Sequence, residues 1–157
     1  MNRVTEFSAA LLLTLGLHGC ATNCGLEPEP CAPQPLIISS LETEYGCSDT
    51  RFLNSQPLES AVVIRTQADF DRRVSGECHP QIDFTRFDLV IGQQQMSGSS
   101  SSSVTYSYQF TCPAKERVLR VMLKPGLTAD FGFRSYHALV PKLGPTETVR
   151  VEVEVTP

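Results

Sequence analysis

Six cysteines carry the chemistry most legible in this chain: Cys20, Cys24, Cys31, Cys47, Cys78 and Cys112. The first stands apart from the rest. Leu17-His18-Gly19-Cys20 sets a thiol behind an apolar residue, a variable one and a small one, at the end of the apolar run from Phe7 to Leu17. That order matches a bacterial lipobox, in which the cysteine sulfur takes up lipid and becomes the first residue of the mature chain. The alternative is an ordinary secretory signal cut near Ala21. The other five cysteines suit an oxidising compartment, where such residues pair. An odd number leaves one over if Cys20 carries lipid. Cys78 with Cys112 is the expected first bridge, joining the segment after a helix to a strand end. A metal reading is weaker. Cys24 and Cys31 lack the short spacing of zinc knuckles, and His79 beside Cys78 gives a single ligand pair.

Other nucleophiles and bases form no convincing set. Gly98-Ser99-Ser100-Ser101 offers hydroxyls, but no glycine follows two residues after a central serine, so it is not a nucleophile elbow. Ser135, His137 and Asp130 can be written down as a triad, yet neighbours on a strand face opposite ways. Asp83 reads as a turn or capping acid. No phosphate-binding glycine loop, paired carboxylates or metal cluster stands out, so no catalytic residue, cofactor or small-molecule ligand is expected. The net charge of −4, with no basic cluster, argues against nucleic acid as a partner.

Around these residues the chain divides in three. Residues 1–19 read as a signal peptide: Arg3 supplies its positive start, and the apolar run is too short for a membrane span, which needs about 20 residues. Residues 20–35 read as a tether, since Pro28, Pro30, Pro33 and Pro35 favour extended polyproline II that builds no core. Residues 36–157 form one domain of ordinary size.

The domain reads as α+β with mainly antiparallel pairing, six or seven strands in a small sandwich or open barrel, and one helix. Leu36 to Tyr45 suggests a strand, and Ala61 to Arg65 another. Thr66-Gln67-Ala68-Asp69 resembles a capping box opening a helix near 67–75, which Gly76 would close. Phe87 to Gly92 is a strand, Ser97 to Ser103 a flexible turn. Val104, Tyr106, Tyr108 and Phe110 alternate with polar residues as in a half-buried strand. Val118 to Leu123 and Tyr136 to Val140 follow. Val149, Val151, Val153 and Val155 alternate with Thr148, Arg150, Glu152 and Glu154, one face buried and one wet.

Several short segments also recur in a family order: Val63-Ile64-Arg65-Thr66-Gln67-Ala68-Asp69-Phe70, Ile82-Asp83-Phe84, Leu89-Val90-Ile91-Gly92, and Tyr136-His137-Ala138-Leu139-Val140-Pro141-Lys142. In this the chain resembles the bacterial lipoproteins related to the C-terminal domain of PrcB, a protease complex subunit. Where that family carries a glycine pair and an aromatic after the Leu-Val-Ile-Gly strand, this chain has Gln93 to Ser103 with Gly98 alone. The resemblance implies a non-enzymatic, β-rich domain that contacts other proteins. The expected protein is therefore anchored by lipid on Cys20, in the outer membrane of a Gram-negative envelope. It would offer sheet edges, Gln93-Gln94-Gln95 and the serine loop to an envelope protein partner. An envelope protease inhibitor or modulator is the alternative, and a hydrolase using His137 a remoter one.

Overall fold

A computed structural model describes residues 31–56, 61–112 and 114–156. Among these residues it shows an α+β fold of nine strands in three sheets and two α-helices, the two larger sheets packed face to face rather than closed into a barrel. The expected signal peptide, Cys20, Cys24 and the first part of the expected tether lie outside the described residues.

The central layer is a three-stranded antiparallel sheet in the order β3 (Val62–Ile64), β5 (Phe87–Ser97), β8 (Phe131–Pro141). Both of its faces are covered. Leu89, Ile91 and Leu139 pack with Phe70, Leu41 and Leu53 on the helical side. Val90, Ala138 and Val140 pack on the opposite side against Leu119, Val121 and Leu123 of the second sheet. Burial on two faces is why Leu89-Val90-Ile91 is a continuous apolar run rather than an alternation. Gly92 ends that run for a steric reason. A Cβ there would lie 2.3 Å from the Tyr136 Oη, because the buried Tyr136 side chain lies against its cross-strand partner Gly92.

The outer sheet runs β1 (Gln34–Pro35), β6 (Ser103–Thr111), β7 (Glu116–Lys124), β9 (Val149–Val155). Strands β6 and β7 form an antiparallel hairpin, whereas β9 lies parallel to β7 because β8 crosses between them in the other sheet. The expected valine alternation holds as far as Val153, and Val155 is exposed. Val149, Val151 and Val153 pack on the core, while Arg150 and Glu152 make cross-strand ion pairs with Glu116 and Arg120 at 3.0 and 2.8 Å.

The helical layer departs from expectation in three places. Leu36 to Tyr45 is not one strand: Leu41–Tyr45 forms helix α1. Ser40 caps it by accepting from the Thr43 N–H at 3.2 Å, and Gly46 ends it at φ +67. Helix α2 (Gln67–Arg73) starts as expected, with the Thr66 hydroxyl accepting from the Asp69 N–H at 3.2 Å. It stops two residues early. Val74 and Ser75 become β4, paired antiparallel with β2 (Asn54–Ser55), since β-branched Val74 buries better as a strand residue against the core. Gly76 is therefore not the helix terminator. Its φ of +148 lets the chain pass close over Leu53.

The last residues of the expected tether, from Cys31 on, are tied into the sheet. Cys31 is bridged to Cys112, Gln34 and Pro35 pair with Phe110 and Gln109, and the Leu36 N–H donates to the Tyr108 carbonyl at 2.8 Å. Proline is tolerated there because β1 is an edge strand.

Two ties outside the core fix the sandwich. Asp88, with no exposed side-chain surface, accepts from Lys142 Nζ at 2.7 Å and from the Leu143 N–H at 3.1 Å. Arg65 reaches from the end of β3 to the carbonyls of Gly144 and Glu147, clamping the turn that leads into β9.

Candidate functional site

The cysteines form two bridges, Cys31–Cys112 and Cys47–Cys78, each with Cα atoms 5.6 Å apart. The expected Cys78–Cys112 bridge is not made. Cys47 follows the Gly46 turn into the helical core, and Cys78 packs against that same cluster. Cys112 lies in the β6–β7 turn of the other sheet, beside the start of β1. The two candidates thus sit in opposite layers. Bridging also removes the Cys78 sulfur from any ligand pair with His79, which instead bonds Asp71 Oδ1 at 2.8 Å and stacks on Phe70 at 4.5 Å between ring centres. Among the described residues no three metal-ligating side chains gather.

The serine loop is an ordered structure. Ser99–Ser101 forms a 3-10 turn. The Asp130 carboxylate accepts from the Ser99 and Ser100 hydroxyls at 2.6 and 3.0 Å and from the Ser100 N–H at 2.9 Å. These donors hold its carboxyl well below the usual carboxylate range. Thr128 bonds the Ser100 and Ser101 hydroxyls, and Gly98 at φ +61 packs directly on the backbone of Gly126. Two loops are thereby locked together at one end of the sandwich. Gln93 to Gln95 are not a loop either, because β5 runs on to Ser97 in full register with β8. Gln93 is buried and donates to the Leu53 carbonyl at 3.2 Å.

Asp83 is the turn acid its sequence suggests. Its carboxylate accepts from the Thr85 hydroxyl at 2.5 Å and the Thr85 N–H at 3.1 Å, which lowers its pKa.

The remaining polar residues converge on the outer edge of β8. His137, 5% exposed, directs Nε2 towards Glu42 Oε2 at 3.0 Å, with the Leu41 N–H 3.3 Å away. Thr50 donates to the other Glu42 oxygen. The His137 contact, seconded by Thr50, holds the Glu42 carboxyl far below its ordinary value. The Tyr106 hydroxyl accepts from the His137 backbone N–H at 3.0 Å, and burial pushes that phenol up to about 12. Ser135 and His137 do share a face, being two residues apart, and both line the same cleft of about 210 Å³. The triad still does not form. Ser135 Oγ bonds the Leu53 carbonyl and Gln93 Nε2, and Asp130 is held in the serine loop. Glu42, the acid that His137 does meet, was not singled out in the sequence, because it arrives on a helix read as a strand.

Arg134 completes the cleft. Its Nε and Nη1 are buried with no hydrogen-bond partner among the described residues, and burial lowers the guanidinium pKa.

A different property marks one end of the molecule. The large apolar residues left exposed are Ile37, Phe52, Met122, Leu127, Phe131, Phe133 and Val155. All but Ile37 lie at or near the end built by the serine loop, the close of β7 and β9 and the start of β8. Phe52 belongs there because its neighbour Arg51 donates to the Ser100 carbonyl at 3.2 Å. Cys31 and Cys112 lie at the opposite end, where β6 turns into β7.

No family model, curated protein or solved structure matches the chain. Among the described residues no helix is long and apolar enough to cross a membrane.

Proposed function

We propose that this chain is a lipid-anchored envelope protein that acts as a non-enzymatic protein-interaction module. Cys20 would carry the lipid, and the outer membrane of a Gram-negative bacterium would be its site. The observation that carries this reading is the polarity of the molecule. The chain enters the domain at Cys31, stapled to the β6–β7 turn, while six exposed apolar side chains gather towards the far end. A soluble domain with no partner scatters such residues singly, whereas clustering marks contact surfaces. A lipid on Cys20 would hold the Cys31 end towards the bilayer and present Phe52, Leu127, Phe131 and Phe133 outward to an envelope protein. The resemblance of its short motifs, in their order, to lipoproteins related to the PrcB C-terminal domain points the same way.

Intact mass of the membrane-extracted protein tests the anchor: acyl mass on Cys20 is expected, and an unmodified chain cut elsewhere would refute it. Cross-linking in intact envelopes tests the module. A partner is expected to be captured by the wild type and lost from a Phe131→Ser, Phe133→Ser variant. Equal capture by both would refute this docking end.

A further inference from the structure

We propose that the free edge of β9 is a self-association surface, where two copies of this chain join as antiparallel strands centred on Val151. The inference asks nothing of the membrane anchor or of the aromatic end.

Strand β9 closes one side of the outer sheet, with β7 as its one neighbour among the described residues. Its hydrogen-bonding phase follows from a single bond. The Thr156 N–H donates to the Leu123 carbonyl at 2.9 Å, and Leu123 stands beside Val155 in the parallel ladder. In such a ladder the N–H and C=O of one residue point the same way, and successive residues alternate. Arg150, Glu152 and Glu154 therefore turn theirs to β7. Val149, Val151 and Val153 turn theirs outward, where nothing among the described residues meets them. The same three valines are only half-buried where they pack on the core. A row of this kind is a template for another strand unless something guards it. The opposite edge of the sheet is guarded, since β1 is two residues long and one of them is proline. Strand β9 has seven residues, no proline and an unbroken register with β7.

Charge names the occupant. Arg150, Glu152 and Glu154 stand between the valines, on the wet face. Antiparallel pairing of two such edges sets outward-turned valines opposite each other. Centred on Arg150, it would set arginine against arginine. Centred on Glu152, it would set glutamate against glutamate, and centred on Val153, Glu152 against Glu154 twice. Like charges directly opposite are destabilising. Centred on Val151, Arg150 of each copy faces Glu152 of the other, and Val149 faces Val153. Each facing valine pair then exchanges two backbone hydrogen bonds, and the charged pairs take the closer positions, with Cα atoms about 4.5 Å apart. Arg150 keeps Glu116 on its β7 side at 3.0 Å, and a guanidinium has donors enough for both acids. A two-fold contact uses the same patch on both copies and closes on itself, which makes a dimer and not a fibre.

Sedimentation equilibrium tests this on the full chain with both disulfides intact and with Cys20→Ser and Cys24→Ser, so that neither lipid nor thiol chemistry joins copies. A monomer–dimer equilibrium is expected below about 1 mM. Arg150→Glu and Glu152→Arg should each weaken the dimer about tenfold. An equimolar mixture of the two should recover the parent strength to within about threefold, because every facing pair is then opposite in sign. Hydrogen exchange needs no variant: the Val149, Val151 and Val153 amides should slow as the concentration rises, while those of Arg150 and Glu152 are slow throughout. A monomer up to about 1 mM overturns the proposal. So does a dimer indifferent to both single variants, a mixture no stronger than either variant alone, or association that leaves the three valine amides unprotected.

Discussion

Glu42 accepts from His137 and Thr50, and its carboxyl is held far below its ordinary value. A carboxylate with a depressed folded pKa stabilises the protein above its unfolded pKa, and that contribution is lost as the pH falls towards the folded value. For Glu42 the loss begins near pH 4.5 and continues downward. Its side chain is 43% exposed, so solvent screening keeps the contribution to about 1 kcal/mol. Urea unfolding of Glu42→Gln should show a stability lower by about that amount at pH 6, converging on the wild type as the pH drops below 4. Two curves that stay parallel throughout would show that the His137 contact does not set its ionisation. Asp88 makes the stronger case. It is wholly buried and holds Lys142 and the Leu143 N–H, so Asp88→Ala strands the buried Leu143 donor, while Lys142, 39% exposed, turns its ammonium to water. A loss of about 1–3 kcal/mol is expected in the same assay. A cost under about 1 kcal/mol would mean that water replaces the carboxylate at no penalty.

At the scale of elements, the two disulfides tie different parts of the fold. Cys31–Cys112 closes a separation of 81 residues and Cys47–Cys78 one of 31. Chain entropy alone assigns them about 4.5 and about 3.7 kcal/mol. Removing either pair as Ala/Ala should lower the thermal midpoint, and the Cys47/Cys78 variant should in addition loosen amide protection in α1 and α2. Uniform protection loss across both sheets would contradict that localisation. The strands were legible wherever one signal dominated: the alternation from Val104 to Phe110 and from Val149 to Val155, and the apolar run ending at Gly92. Thr66 gave the start of α2 because a hydroxyl cap is a local interaction. The end of α2 was not local, since Val74 leaves the helix to pair with Ser55 across the chain. Helix α1 carried its own signal, Ser40 before Leu41 and Gly46 after Tyr45, but five residues are too few for a helical period to show. Missing it hid Glu42. The bridge partners were hidden for a similar reason, because pairing depends on which layer each turn faces.

For the whole molecule, the polarity between the Cys31–Cys112 end and the aromatic end makes a separable prediction. Phe131 is 70% exposed and Phe133 40%, so serine should cost no more than about 0.5 kcal/mol at the first and about 1–2 kcal/mol at the second while abolishing partner capture. A large stability loss would instead place these rings in the core of the fold. The Cys31–Cys112 bridge has one more consequence, which is mechanical. A pull on the chain upstream of Cys31 does not peel away the two-residue strand β1, because the tension passes through the sulfurs to Cys112 and into β7. Residues 32 to 111 are a slack branch that carries no tension. Between Cys112 and the C-terminus the first and last strands, β7 and β9, lie parallel, so stretching from the two ends slides them along each other instead of unzipping them bond by bond. A reductant reroutes the tension through β1 and frees the 81-residue separation, adding about 270–290 Å of contour in a single-molecule pulling trace. A tethered protein of this build would yield to reduction of one bond more readily than to tugging.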